Sequence, residues 1–145
     1  MGSMAAVAEV LGGRKILGAK PKTALEWQEV ILAGMPVGSA EALKGGISVA
    51  DKPFAELIGI SEKTLSRARS GRARLDPVAS DRLYRLAKIV ALAIDVLEDE
   101  ARAVHWLKRA QFGLGGRSPL SLLATDAGSD QVEKLLLRIE HGVYS

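Results

Sequence analysis

The stretch that follows Asp76-Pro77 constrains the fold more than any other part of this sequence. Its apolar residues recur at spacings of three, four, four and three, which is the period of one helix face. Asp76 is a typical N-cap, and Pro77 suits the first helical turn because the N–H it lacks would have no partner there. The pattern predicts an amphipathic helix of about five turns. Its apolar stripe is Leu83, Leu86, Val90, Ile94 and Leu97.

Similar start and stop signals divide the rest of the chain into shorter helices. Thr23 and Glu26 form a capping-box pattern that opens a helix, and Gly34 and Pro36 close it. No segment alternates between apolar and polar residues for long enough to predict a strand, so the predicted fold class is all-α. The other predicted helices run from Ser39 to Gly46, from Asp51 to Gly59, from Ser61 to Ser70, through Val104 and Trp106, from Ser118-Pro119 after a glycine-rich break at 113–116, and from Ser129 to His141.

The amino-acid composition limits the chemistry that this chain can perform. Its 145 residues are enough for one domain. The absence of cysteine excludes disulfides, thiol catalysis and Cys-rich metal sites, and the two histidines have no partners at metal-ligand or triad spacing. The longest apolar run, residues 89–94, is too short to cross a membrane. We therefore expect a cytoplasmic protein that is not an enzyme and holds no metal or cofactor.

Basic residues are concentrated between Glu62 and Arg74. This segment holds five basic residues and one acidic residue, a net charge of +4, and leaves 15 basic and 16 acidic residues elsewhere. A solvated helix face is the ordinary explanation of a charged run. Because this run has a single sign, it also fits contact with a polyanion such as DNA.

Two short helices that meet at Gly59-Ile60-Ser61 predict a helix-turn-helix. The turn needs a residue that adopts the left-handed conformation, and Gly59 supplies it. Ala55 lies four residues earlier, where a small side chain lets the second helix cross closely. The expected inner positions of the motif are Phe54, Ile58, Ile60, Leu65 and Ala68.

Helical geometry then selects the residues that could contact DNA. A rotation of about 100° per residue places Lys63, Ser66, Arg67 and Ser70 on the outer side of the second helix. Lys63 and Arg67 carry donors that match guanine O6 and N7 in the major groove, and Thr64 lies beside them. We assign the flanking cations to phosphates, with solubility as the alternative role: Arg69, Arg72 and Arg74.

The chain resembles the Xre/MbcA/ParS-like antitoxins over nearly all of its length after Thr23. In the N-terminal half, residues 54–61, Thr64-Leu65 and residues 80–83 carry the resemblance. The chain departs from the usual family pattern at residues 108–111. The C-terminal half carries the more specific series: Ala103, Trp106-Leu107, Leu114-Gly115-Gly116, Pro119-Leu120, Leu122-Leu123, Thr125, Gly128, Val132, Leu135 to Leu137, Ile139 and Gly142.

This resemblance implies a domain organisation and a function. Residues 23–90 would form a Xre-type helix-turn-helix domain for DNA binding and dimerisation, and residues 91–145 a small helical toxin-binding domain. We assign residues 1–22 to a tag remnant and a flexible segment. The protein would be the antitoxin of a type II toxin–antitoxin module whose toxin has a RES domain with an ADP-ribosyltransferase-like fold and depletes NAD⁺. Antitoxin and toxin together would bind operator DNA and repress their own operon.

The last predicted helix and the tail after it are the candidate toxin-binding surface. Gly142 ends the helix, and Tyr144 in the tail is a residue type that commonly anchors interfaces. We expect the tail to enter the NAD⁺ cleft of the toxin, which gives the candidate contacts Arg138, Glu140, His141, Val143, Tyr144 and Ser145. The helix also carries a surplus of apolar residues that would face either a partner or their own domain: Val132, Leu135, Leu136, Leu137 and Ile139.

One helix-turn-helix contacts only half of a two-fold operator, so we expect a homodimer. The apolar face of residues 24–32 and the long helix from Pro77 are the candidate interface. The residues alone leave two other functions open. One is a phage-type transcriptional repressor whose C-terminal half serves only oligomerisation, and the other is an interaction scaffold with a degenerate DNA motif.

Overall fold

The computed structural model describes residues 4–142, in which every regular element is a helix. Two 3-10 helices, Phe112–Leu114 and Pro119–Leu122, separate the last two α-helices. The all-α prediction is confirmed, and no helix in this part of the chain is long and apolar enough to cross a membrane. The α-helices are α1 (Met4–Val10), α2 (Gly13–Leu17), α3 (Ala24–Ala33), α4 (Val37–Gly46), α5 (Asp51–Leu57), α6 (Glu62–Gly71), α7 (Pro77–Leu97), α8 (Glu100–Lys108) and α9 (Asp126–Glu140).

Helix α7 is the centre of the fold. Helices α1, α3, α5, α8 and α9 all pack against it. The middle of α7 is buried on most of its faces because several helices surround it, and its residues join one continuous core. The predicted apolar stripe is confirmed: Leu83, Leu86 and Val90 are buried, and Ile94 and Leu97 pack at the edge of the core.

Three helices start at the N-caps that the sequence predicted. The Oγ1 atom of Thr23 accepts the N–H of Glu26 at 3.1 Å, and the Glu26 carboxylate accepts the N–H of Lys22 at 2.6 Å. Ser61 and Asp76 likewise accept N–H groups from the first turns of α6 and α7. These hydrogen bonds confirm the predicted starts of α3, α6 and α7.

Two other helices begin earlier than predicted. Helix α4 starts at Val37 instead of Ser39, because the N–H of Val37 bonds to the carbonyl of Ala73 and fixes the chain there. Helix α9 starts at Asp126 instead of Ser129, with Thr125 as its N-cap. Its first turn contains Gly128, where a Cβ atom would collide with the carbonyl oxygen of Leu122. Glycine is required there by a close approach of backbone to backbone, not by a break in the helix.

The N-terminal segment is helical from Met4, although the sequence predicted a flexible segment there. Residues 1–3, the predicted tag remnant, lie outside the described residues. Helix α1 packs on α7, and Val7 and Leu11 are buried in the common core. A seven-residue helix is too short to show the period of an apolar face in its sequence. Packing against α7 stabilises it, because so short a helix is not stable by its helix propensity alone.

Candidate functional site

Helices α5 and α6 form a helix-turn-helix around Gly59. Gly59 has a φ of +72°, and the N–H of Ile60 closes the turn on the carbonyl of Ala55 at 3.0 Å. A Cβ atom on Gly59 would also collide with the guanidinium group of Arg82 on α7. The left-handed backbone therefore favours glycine at this turn, and any larger residue would also displace the end of the Arg82 side chain.

The inner positions of the motif are buried as predicted. Phe54, Ile58 and Leu65 have no exposed surface, Ala68 is buried, and Ile60 is half-buried against the core. The predicted small residue, Ala55, is also buried where α5 meets α6. This packing fixes which side of α6 faces outward.

The outer side of α6 is exposed along its length. Lys63, Ser66, Arg67 and Ser70 are all exposed there. Among residues 4–142, the side chains of Lys63 and Arg67 form no hydrogen bond or ion pair, so their charged groups are available to a ligand. Thr64 is less free, because its hydroxyl lies 2.8 Å from that of Ser61 and its N–H bonds to Ser61 Oγ at 3.0 Å.

Arg69 is engaged within the protein and does not fit its predicted role at phosphates. Its guanidinium donates to both carboxylate oxygens of Glu41, at 2.9 and 3.0 Å, and to both of Asp51, at 3.1 and 2.8 Å. These bonds tie α6 to α4 and to the start of α5. The bond from Arg69, with a further contribution from Lys44 at 3.2 Å, lowers the pKa of Asp51, and the two carboxylates raise the pKa of Arg69. Sequence analysis missed this pairing because Glu41 lies 28 residues away.

Arg72 and Arg74 flank the outer face of α6 from its C-terminal end. Arg72 follows the helix with a φ of +49°, and its side chain is exposed. Arg74 is also exposed but donates to the carbonyl of Gly34 at 2.7 Å, which holds it beside the start of α7. The geometry leaves both charges on the surface, where Arg72 is the less constrained of the two.

The C-terminal helix α9 buries its apolar residues in its own domain. Val132, Leu135 and Leu136 are buried, and Leu137 and Ile139 pack against the same core. Packing within the fold, one of the two alternatives, therefore accounts for the three buried residues, while Leu137 and Ile139 keep part of their surface exposed.

The predicted toxin-contacting residues lie at the C-terminal end of α9. Arg138, Glu140 and His141 are exposed, while Val143, Tyr144 and Ser145 lie outside the described residues. A residue that sequence analysis did not single out, Phe112, is the most exposed large hydrophobic side chain among residues 4–142. No local pattern marks such a residue, because its exposure depends on how the loop folds.

Comparison with known proteins matches the two halves of the chain to two family models. Residues 26–88 match the antitoxin Xre-like helix-turn-helix domain. Residues 92–142 match the antitoxin Xre/MbcA/ParS C-terminal toxin-binding domain. Both matches include part of α7, so this one helix runs from the first segment into the second.

Individual relatives cover most of the chain. Antitoxin Xre of Yersinia enterocolitica serotype O:8 / biotype 1B is 34% identical over 141 residues, which span 86% of this chain and 93% of the relative. Antitoxin Xre of Photorhabdus laumondii subsp. laumondii is 30% identical over 117 residues, 80% of this chain and 79% of the relative. The Prs ADP-ribosylating antitoxin of Sphingobium sp. is 23% identical over 125 residues, with the same coverage of 80% and 79%.

Proposed function

This chain belongs to the Xre family of antitoxins, and we propose on that basis that it inhibits a RES-domain toxin encoded beside it and represses their common operon. The helix-turn-helix binds operator DNA, and the segment after residue 90 binds the toxin. The boundary between these two parts lies within α7, because each part includes residues of this helix.

The outer face of α6 is the observation that carries the DNA-binding half of the proposal. Lys63 and Arg67 stand exposed and without partners in the described residues, on a helix whose other side is buried. An arginine in this position can donate two hydrogen bonds to guanine in the major groove, and Arg72 neutralises a flanking phosphate. Ser66 and Ser70 complete the groove-facing side, with Thr64 at the N-terminal turn.

The identity of the toxin is proposed from the family resemblance and from one relative. The Sphingobium relative is named for ADP-ribosylation, a reaction that consumes NAD⁺. A RES-domain toxin that degrades NAD⁺ would consume the same molecule, and this shared substrate supports the proposed toxin class. The antitoxin acts by binding in the cytoplasm and performs no catalysis, and it needs no metal or cofactor.

Inhibition of the toxin is proposed to rest on the end of α9 and the tail after it. Helix α9 ends at Glu140 with His141 as its C-cap, and Gly142 follows with a φ of +77°. Arg138, Glu140 and His141 are exposed at this end. The tail then blocks the NAD⁺ cleft sterically, with Tyr144 as the anchoring side chain.

A homodimer is proposed from exposed apolar residues on the two helices that the sequence indicated. Leu25 and Leu32 are seven residues apart on α3, so they share one face, and both are exposed. Val78 is also exposed in the first turn of α7, which packs against α3. A two-fold contact through this face would place two copies of α6 on successive half-sites.

Growth protection and DNA binding together test the proposal. Induction of the toxin gene should deplete NAD⁺ and arrest growth, and co-expression of this chain should prevent both. A chain that ends at Glu140 should bind the operator but not protect, whereas Arg67→Ala should protect but bind the operator more weakly. A phage-type repressor predicts operator binding with no protection by any variant, and that result would refute the antitoxin proposal.

A further inference from the structure

Phe112 is presented to solvent on a compact loop between α8 and α9. Its side chain is 91% exposed, whereas the other phenylalanine of the sequence, Phe54, is completely buried. Large aromatic side chains have a strong tendency to leave water, so an exposed one marks a contact surface more often than a small apolar residue does.

The loop that carries Phe112 is held by hydrogen bonds on both sides. The N–H of Gln111 bonds to the carbonyl of Arg117 at 3.0 Å, and the N–H of Gly116 bonds back to the carbonyl of Gln111 at 3.0 Å. The side-chain amide of Gln111 donates to the carbonyl of Trp106 at 3.1 Å, and Leu114 is buried beneath the loop. Because this backbone is already ordered, a partner that binds Phe112 loses little conformational entropy in fixing it.

The charged residues of the loop itself have one sign. Between Glu100 and Asp126 the sequence contains no acidic residue, while it contains four basic ones. Three of them, Lys108, Arg109 and Arg117, lie in the ten residues that include Phe112, and all three are exposed. Lys108 and Arg109 are engaged within the protein, whereas the Arg117 side chain forms no bond with any residue of 4–142. An exposed aromatic ring with an exposed cation on the same loop fits an apolar pocket with a carboxylate on its rim.

We propose that Phe112 anchors this protein to its toxin by entering an apolar pocket with an acidic rim. The inference rests on the proposed function and adds a second contact to the tail. The loop packs on α9, and it lies within the segment that matches the toxin-binding domain and outside the segment that matches the helix-turn-helix domain. These two observations favour a protein partner over DNA for this aromatic residue.

Affinity for the purified toxin tests the role of the ring. Phe112→Ala should raise the dissociation constant about 30-fold or more, which is typical of the loss of a central aromatic anchor. Phe112→Trp should retain most of the affinity. Thermal unfolding should be unchanged in both variants because the ring contributes almost nothing to the core. Ile16→Ala, which shortens another exposed apolar side chain, is the matched control and should bind like the unmodified protein.

A charge-reversing variant tests the acidic rim. Arg117→Glu should weaken toxin binding and reduce its dependence on salt concentration.

Equal toxin affinity of Phe112→Ala and the unmodified chain overturns the inference while the antitoxin proposal stands. Loss of operator affinity in Phe112→Ala, or a change of its oligomeric state with toxin binding intact, also overturns it in favour of DNA or a second copy. Failure of the unmodified chain to bind the toxin overturns both.

Discussion

Arg67 and Arg69 lie two positions apart on α6, and the structure places them in different surroundings. Arg67 is exposed and forms no side-chain bond with any described residue, whereas Arg69 donates four hydrogen bonds to two carboxylates. Replacing each with alanine should therefore affect different properties. Arg67→Ala should change DNA binding and leave stability unchanged, and Arg69→Ala should do the reverse.

The magnitudes follow from what each side chain contacts. One bidentate contact to guanine contributes roughly 1–3 kcal/mol, so Arg67→Ala should weaken operator binding by about 5- to 150-fold. Random DNA should lose much less affinity, because no base-specific contact exists there. Arg69→Ala should lower Tm by roughly 2–4 °C, the size expected for a partly exposed network of ion pairs.

Fluorescence anisotropy on operator and random DNA, together with thermal unfolding, measures both effects. Arg72→Ala is the matched comparison, since loss of a phosphate contact should weaken all sequences alike and lower the salt slope by about one. The reasoning is refuted if Arg69→Ala loses as much operator affinity as Arg67→Ala without a change in Tm. That result would mean that Arg69 leaves its carboxylates to contact DNA.

Three further predictions concern the framework behind the site. Ser80→Ala should destabilise the protein by about 1–3 kcal/mol, because the buried N–H of Met35 loses the acceptor that it bonds at 2.8 Å, and urea unfolding measures this; an unchanged unfolding midpoint would contradict it. Gly59→Ala should lower both Tm and operator affinity, since the left-handed backbone alone costs about 1–2 kcal/mol in a residue with a side chain, and Gly59→Ala that binds normally would show that the turn adapts. Asp51 has a folded pKa below its ordinary 3.8, so its ionised form stabilises the fold above that pH and the benefit disappears as pH falls through the folded pKa. Chemical unfolding should thus show Asp51→Asn to be less stable than the parent at neutral pH, with a difference that narrows as the pH falls below 3.8, and a constant difference would exclude this linkage.

The parts of the fold that depend on neighbouring residues could be predicted from the sequence. The caps at Thr23, Ser61 and Asp76 and the turn at Gly59 involve groups within a few residues of one another, and each is confirmed. The apolar stripe of α7 was likewise readable, because helix geometry alone determines its period.

The features that sequence analysis missed depend on contacts between distant residues. Helix α1 forms because it packs against α7 and buries Val7 in the core, and no local signal indicates this contact. Arg69 appeared to be one of five similar cations until α4 and α5 placed two carboxylates against it. The exposure of Phe112 follows from the folded loop, since a phenylalanine in a sequence ordinarily predicts a buried position.

The central claim is that this antitoxin forms a stable complex with a toxin encoded beside it, and co-purification measures this most directly. Co-expression of the two genes with a tag on the toxin alone should yield both proteins as one species in size-exclusion chromatography with light scattering. The complex should also bind DNA from upstream of the operon, and Arg67→Ala in the antitoxin should weaken that binding without releasing the toxin. Recovery of the tagged toxin without this chain, at a concentration where both are soluble, would contradict the account.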